Sequence, residues 1–204
     1  VLNSDASRYC RYFRKEKKMT TLAEFVEQAK KDNLPYAVFK NWHHPVPSWK
    51  EFEDIIDPQS TGVRKFIQNV PLPEPMQYFL DESKKAYPDI EYQYYIFEGK
   101  RYRNLDSNWP GEPLHKDPYD IIHWHCRGAT EWQVGLYGEM SGVPKEFKYE
   151  ERQGWEWQTA WTREPETLML EPGDILWLRK GTWHRTQNLS EKYSVIFDAG
   201  PLWE

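Results

Sequence analysis

The chain has 204 residues, a formal net charge of −5 and a pI near 5.8, a length that fits one domain with a sizeable buried core. Lys and Arg are scattered apart from Arg14–Lys18, which argues against a basic face for nucleic acid. No apolar run approaches the ~18 residues of a membrane span, and two cysteines, Cys10 and Cys126, are too few for a disulfide framework, so a cytoplasmic protein is expected.

In the first half the pattern is mixed. Thr21-Leu-Ala-Glu24 reads as a capping box, with Leu22, Phe25, Val26 and Ala29 following at helical spacing, and the helix is expected to end near Asn33. Tyr36–Trp42 reads as a strand. Ser48-Trp-Lys-Glu51 is a second capping box opening a short helix through Phe52 and Ile55. Pro73–Ala86 is a third helix, with Pro75 near its start and Met76, Phe79 and Leu80 on one side. From Glu91 onward strand signals dominate: Glu91–Phe97, Ile121–Cys126, Glu131–Tyr137, Phe147–Glu151, Trp155–Trp161, Thr167–Leu170, Ile175–Leu178, His184–Asn188 and Tyr193–Phe197. Arg103–Pro118 reads as a long polar loop, of a length more often functional than idle. The expected fold is mostly β with α. A helical part with one or two strands (residues 1–90) packs on a sandwich or barrel (91–204), the whole a single domain.

Chemistry concentrates in histidine. Six histidines are present, and three of them stand in two short segments, His123-Trp-His125 and the Gly-turn segment ending in His184. Two histidines separated by one residue in a strand face the same side, and a third from another strand closes a facial triad around a divalent metal. His43 and His44 read as a loop pair. His115 is expected to be exposed in the long loop, with a lid or proton-shuttle role as the functional alternative. Cys126 should point away from His125 as a packed thiol.

These segments resemble the cupins. The second cupin motif, Gly-x5-Pro-x-Gly-x2-His-x3-Asn, is matched by Gly173, Gly181, His184 and Asn188, with Arg179 in place of proline. The first, Gly-x5-His-x-His-x3–4-Glu-x6-Gly, is matched by His123, His125, Glu131 and Gly138, with Asp117 in place of the first glycine and one extra residue before Glu131. The resemblance implies a double-stranded β-helix. It also implies a metal held by His123, His125 and His184, with Glu131 as a fourth ligand or a general base.

Leu170-Glu-Pro-Gly-Asp-Ile-Leu-Trp-Leu and Glu131-Trp-Gln-Val-Gly-Leu-Tyr-Gly138 further resemble the JmjC-type hydroxylases, cupin-fold enzymes using Fe(II) and 2-oxoglutarate. Against that pattern, His125 stands at the carboxylate position of His-x-Asp, Met140 at the cosubstrate lysine, and Asp120 at a threonine. Cosubstrate binding would therefore draw on Arg127, Arg185 or Arg179. Gln133, Tyr137 and Tyr94 are pocket candidates with Arg127.

The expected function is a mononuclear non-haem Fe(II) cupin oxygenase with a three-histidine triad, acting with dioxygen on a small, anionic molecule. The alternatives are a JmjC-like 2-oxoglutarate-dependent hydroxylase, a redox-neutral lyase or isomerase, and a non-catalytic small-molecule binder. Zn, Mn and Ni are the other metals such a site accepts. No nucleic-acid or membrane partner is expected, and the cupin resemblance admits a homodimer.

Overall fold

The computed structural model describes residues 12–13, 21–42, 45–56, 64–67, 70–99, 114–135, 156–158 and 165–200. The helices are α1 (Leu22–Lys31), α2 (Trp49–Ile55) and α3 (Glu74–Ala86). The strands are β1 (Tyr12–Phe13), β2 (Tyr36–Phe39), β3 (Arg64–Phe66), β4 (Gln93–Gly99), β5 (Leu114–Lys116), β6 (Asp120–Arg127), β7 (Thr130–Val134), β8 (Glu156–Gln158), β9 (Glu166–Leu170), β10 (Ile175–Leu178), β11 (His184–Asn188) and β12 (Lys192–Ala199). Both capping boxes form: Thr21 with Glu24 and Ser48 with Glu51 satisfy each other's backbone N–H groups at the starts of α1 and α2. Pro75 sits in the first turn of α3, where its missing N–H costs nothing.

Two sheets form, seven-stranded in the order β1-β2-β10-β6-β12-β4-β3 and five-stranded in the order β8-β5-β11-β7-β9. Counting β4, β5, β6, β7, β9, β10, β11 and β12 as one to eight, the large sheet runs 1-8-3-6 and the small one 2-7-4-5. This is the double Greek key of a jelly-roll barrel, as expected. Strands β1, β2 and β3 extend the large sheet at its edges, so the N-terminal part is woven into the barrel rather than only packed on it.

Strand alternation makes two cores. On the outer side of the large sheet, Ile122, Trp124, Cys126, Ile175, Trp177, Val195 and Phe197 pack with α1 and α3 residues. Trp124 lies edge-on to Trp42 (5.2 Å between ring centroids) and stacked on Phe79 (5.5 Å). Between the sheets, Tyr36, Val38, Tyr95, Phe97, Ile121, Trp132, Val134, Leu168, Leu176 and Ile196 form the inner core. Among the described residues no helix is long and apolar enough to cross a membrane.

One expectation for the fold is corrected. Arg103–Pro118 is not loop throughout, because Leu114–Lys116 is strand β5, hydrogen-bonded between β8 and β11. Three residues are too few to show a periodicity, and the surrounding Pro and Gly hide them. The expected strand Phe147–Glu151 lies outside the described residues, as does most of Trp155–Trp161.

Candidate metal centre

Side chains of the inner face include a polar set that does not belong in an apolar core. Strand β5 places His115 opposite His184 on β11, with ring centroids 4.3 Å apart. Asp117 follows β5 directly. Its carbonyl accepts from the Gly181 N–H at 2.9 Å, which ties the end of β5 to the turn before β11. Gly181 has φ +79°, a left-handed conformation that suits glycine, and this turn delivers His184 to the interior.

His115, Asp117 and His184, all buried, have ligand atoms within 4.8 Å of one another; among the described residues they are the one group of metal-ligating side chains that converges so. Asp117 Oδ2 lies 3.4 Å from His184 Nε2, and its Oδ1 lies 3.6 Å from His115 Nε2. His184 Nδ1 lies 3.0 Å from the Thr182 carbonyl. A carbonyl only accepts, so Nδ1 carries the proton and Nε2 keeps its lone pair toward the carboxylate. Two imidazoles and one carboxylate, presented from two adjacent strands with lone pairs converging, fit a divalent cation. This donor set suits non-haem Fe(II) and leaves coordination positions open.

The structure brings one of the three expected ligands into this group. His184 is in the converging group, whereas His123 and His125 are not. They do share a face, and it is the inner face of β6, but β6 belongs to the large sheet and His184 to the small one. Their rings are parallel and 6.2 Å apart. His125 Nε2 turns to the Gly128 carbonyl at 3.0 Å, and burial pushes its pKa down to about 4. Burial first, and then the positive charge of Lys192, hold His123 well below the ordinary histidine range, so its imidazole is neutral. His115-Lys-Asp117 has the His-x-Asp spacing and lies eight residues upstream of His123-Trp-His125.

The other predicted residues are placed by the same alternation. Thr130, Trp132 and Val134 of β7 are buried inward, so Glu131 and Gln133 between them face out. Gln133 accepts from Arg185 Nε at 2.8 Å on that outer face. Tyr94 lies on the helix side of β4, partly buried beside Tyr92, while Gln93 and Tyr95 point inward. Arg127 donates to the carbonyls of Pro47 (2.7 Å) and Val46 (3.3 Å), securing the segment before α2. Arg179 reaches Asn33 and the Lys30 carbonyl. Tyr137 lies outside the described residues. Cys126 is packed in the outer core as expected, and burial raises its thiol pKa.

The interior also holds a cation that no sequence pattern marks. Lys192, at the start of β12, is 1% exposed. Its Nζ lies 3.2 Å from Thr130 Oγ1, over the rings of Phe97 (5.0 Å to centroid) and Trp132 (6.0 Å). Trp132 in turn lies 5.6 Å from the His184 ring, so one indole neighbours both His184 and the buried lysine. Asn188 and Thr130 are partners in the β11–β7 pairing, four residues along from His184 and Val134; Lys192 therefore sits deeper in the barrel than the triad.

The JmjC domain matches residues 93–201, more than half of the chain. Similar solved structures include the Escherichia coli ribosomal oxygenase YcfD in complex with cobalt and 2-oxoglutarate, at 20% identity over 63% of this chain and 29% of that one, TM-score 0.44. Hydroquinone 1,2-dioxygenase from Sphingomonas sp. TTNP3 is similar at 11% identity over 57% and 64%, TM-score 0.38. Lactobacillus farciminis oxalate decarboxylase is similar at 14% over 59% and 28%, TM-score 0.36. The chain spans about three tenths of the length of the ribosomal oxygenase. No protein of curated function matches the sequence. On the domain match, over residues that include the triad and the barrel strands around it, the chain belongs to the JmjC-domain family.

Proposed function

We propose that this chain is the catalytic module of an Fe(II)- and 2-oxoglutarate-dependent oxygenase. His115, Asp117 and His184 hold the metal, and Lys192 anchors the far carboxylate of the cosubstrate. The observation that carries this reading is the convergence of two imidazoles and a carboxylate inside the barrel. Family membership supplies the expected chemistry. Bound Fe(II) with 2-oxoglutarate supplies oxidative decarboxylation of the keto acid to succinate and CO2, with the second dioxygen atom inserted into a substrate C–H bond.

The chain's own residues prepare this reaction. Thr182 fixes the tautomer and ring plane of His184 through its carbonyl. The β5–β11 pairing sets the spacing of the two imidazoles. Lys192, enclosed by Phe97 and Trp132, places its amino group where water is excluded, and a carboxylate brought there would form a charge-assisted hydrogen bond with it. The requirement for a separate cation, left open by Met140, is met from the last strand rather than from an arginine. The carboxylate sought at His125 is Asp117.

The test is oxygen uptake by the Fe(II)-reconstituted protein with and without 2-oxoglutarate, with succinate measured. 2-Oxoglutarate is expected to stimulate uptake with matching succinate, and Asp117→Ala to abolish both. Absence of succinate with iron loaded, across a broad set of substrates, would sink the proposal. Turnover under strict anaerobiosis would indicate redox-neutral Lewis-acid chemistry instead.

A further inference from the structure

Several buried polar groups of the barrel interior belong to neither the triad nor the Lys192–Thr130 pair. Both ring nitrogens of His123 are buried without a hydrogen-bond partner, as are Trp132 Nε1 and Ser194 Oγ. A buried indole N–H or imidazole left unsatisfied bears its full desolvation cost, so such groups are rarely retained without a ligand or an ordered water to receive them. Three on the inward faces of neighbouring strands call for a common explanation.

Their placement supplies it. His123 lies on the inner face of β6, between Leu176 of β10 and Ile196 of β12 in the sheet. Its ring meets Trp132 edge-on at 4.8 Å. Trp132 is the common neighbour of His123, of the ligand His184 at 5.6 Å and of Lys192 at 6.0 Å. Ser194 stands one inward step from Lys192 on β12. Trp132 thus links His123 to the ligand candidate His184 and to Lys192, and Ser194 follows Lys192 on the same face of β12. Each of the three can donate a hydrogen bond. The indole N–H only donates, the neutral imidazole donates from one nitrogen, and the serine hydroxyl donates from a rotatable O–H. Donors around a buried cation suit a ligand rich in carboxylate and carbonyl oxygens. An apolar ligand would leave each of them unsatisfied.

We propose that His123 and Trp132 are cosubstrate-positioning residues, whose ring N–H groups donate to oxygens of the keto acid held between the triad and Lys192. The proposal rests on the function given above and adds two residues to it. His123 is thereby a hydrogen-bond donor beside the metal site and not a metal ligand.

The experiment uses the full chain loaded with Zn(II), which is inert to dioxygen, and 2-oxoglutarate as the probe. Affinity is measured by calorimetry for the wild type, His123→Phe and Trp132→Phe, and imidazole 15N resonances are followed on addition. Both variants remove the ring nitrogens while keeping an aromatic ring, a larger one at His123→Phe and a smaller one at Trp132→Phe, so the opposite volume changes separate packing from the lost donors, and Trp132→Phe provides the test if His123→Phe fails to fold. Each is expected to bind 2-oxoglutarate about tenfold more weakly, the loss of one hydrogen bond. Each should retain wild-type zinc stoichiometry. The His123 ring nitrogens should shift when 2-oxoglutarate is added to the wild type. With iron, the KM for 2-oxoglutarate should rise while kcat at saturation is kept. If both variants bind as tightly as the wild type and the His123 resonances stay put, the groups are satisfied by water and this proposal is overturned alone. If the wild type itself binds no 2-oxoglutarate, the proposed function falls and this inference with it.

Discussion

Replacing Lys192 with methionine separates the binding role of that residue from any role in the fold. Methionine has nearly the same length and volume, so in the 1%-exposed site between Phe97 and Trp132 the swap should change stability by less than about 1.5 kcal/mol. The ligand should respond very differently. A charge-assisted bond to a buried ammonium is worth about 1.5–3 kcal/mol, so the Kd for 2-oxoglutarate should rise roughly ten- to hundredfold. Thermal shift reads both effects together. With 2-oxoglutarate at a hundred times the wild-type Kd, the Zn(II)-loaded wild type gains about 2.7 kcal/mol. For a domain of this size that is roughly 5–10 °C. A variant weakened a hundredfold gains about 0.4 kcal/mol, or roughly 1 °C. Equal shifts in the two proteins would refute the assignment of Lys192. So would a variant that unfolds without ligand, since that would make the lysine structural.

Two further predictions concern the shell around the site. Gly128 turns β6 into β7 at φ +81°, and a Cβ there would sit 2.0 Å from the Glu191 carbonyl oxygen, so Gly128→Ala should cost at least about 2 kcal/mol in urea unfolding. A cost under about 0.5 kcal/mol would contradict the turn geometry. His125 has a folded pKa of about 4 against an ordinary 6.5, so below pH 6.5 the unfolded chain takes up its proton first. Its contribution is fully present above pH 6.5 and falls by about 3 kcal/mol as the pH drops to 4, since a tenfold difference in proton affinity between the folded and unfolded chain is worth about 1.4 kcal/mol. Unfolding midpoints at pH 7.5 and 4.5 should therefore differ more for the wild type than for His125→Gln, and equal differences would remove His125 as the cause.

Much of the barrel was legible because alternation and turn residues are local signals. The capping boxes at Thr21 and Ser48, the strands β6 and β9 to β12, and the glycine turn before His184 all follow from contacts within a few residues. The converging group was legible only in its last member. His184 sits in a long motif, whereas His115 and Asp117 sit on or beside a three-residue strand that exists because β8 and β11 flank it. Nothing within the segment Leu114–Lys116 signals that pairing. The His-x-Asp pattern is nevertheless written in His115-Lys-Asp117, overshadowed by the more conspicuous His123-Trp-His125. Both histidines of that pair are buried and inward, so their shared face is as expected, and they stand outside the converging group. A shift of one residue displaced other expectations. Gln133 and Glu131 alternate with Trp132, and Tyr94 with Tyr95, and sequence alone does not say which parity is inside when both contain aromatic or polar residues. Lys192 carries no sequence signal because a lysine at a strand end ordinarily snorkels to water, and only the closed barrel shows that this one has none to reach.

The central claim is that the metal is held by His115, Asp117 and His184 and not by the pair His123 and His125. Co(II) titration of the wild type, His115→Ala and His123→Phe, followed by absorption and by metal retained after gel filtration, tests it directly. One equivalent of cobalt is expected on the wild type and on His123→Phe, with binding lost or weakened at least tenfold in His115→Ala. Full binding by His115→Ala together with loss in His123→Phe would contradict the claim.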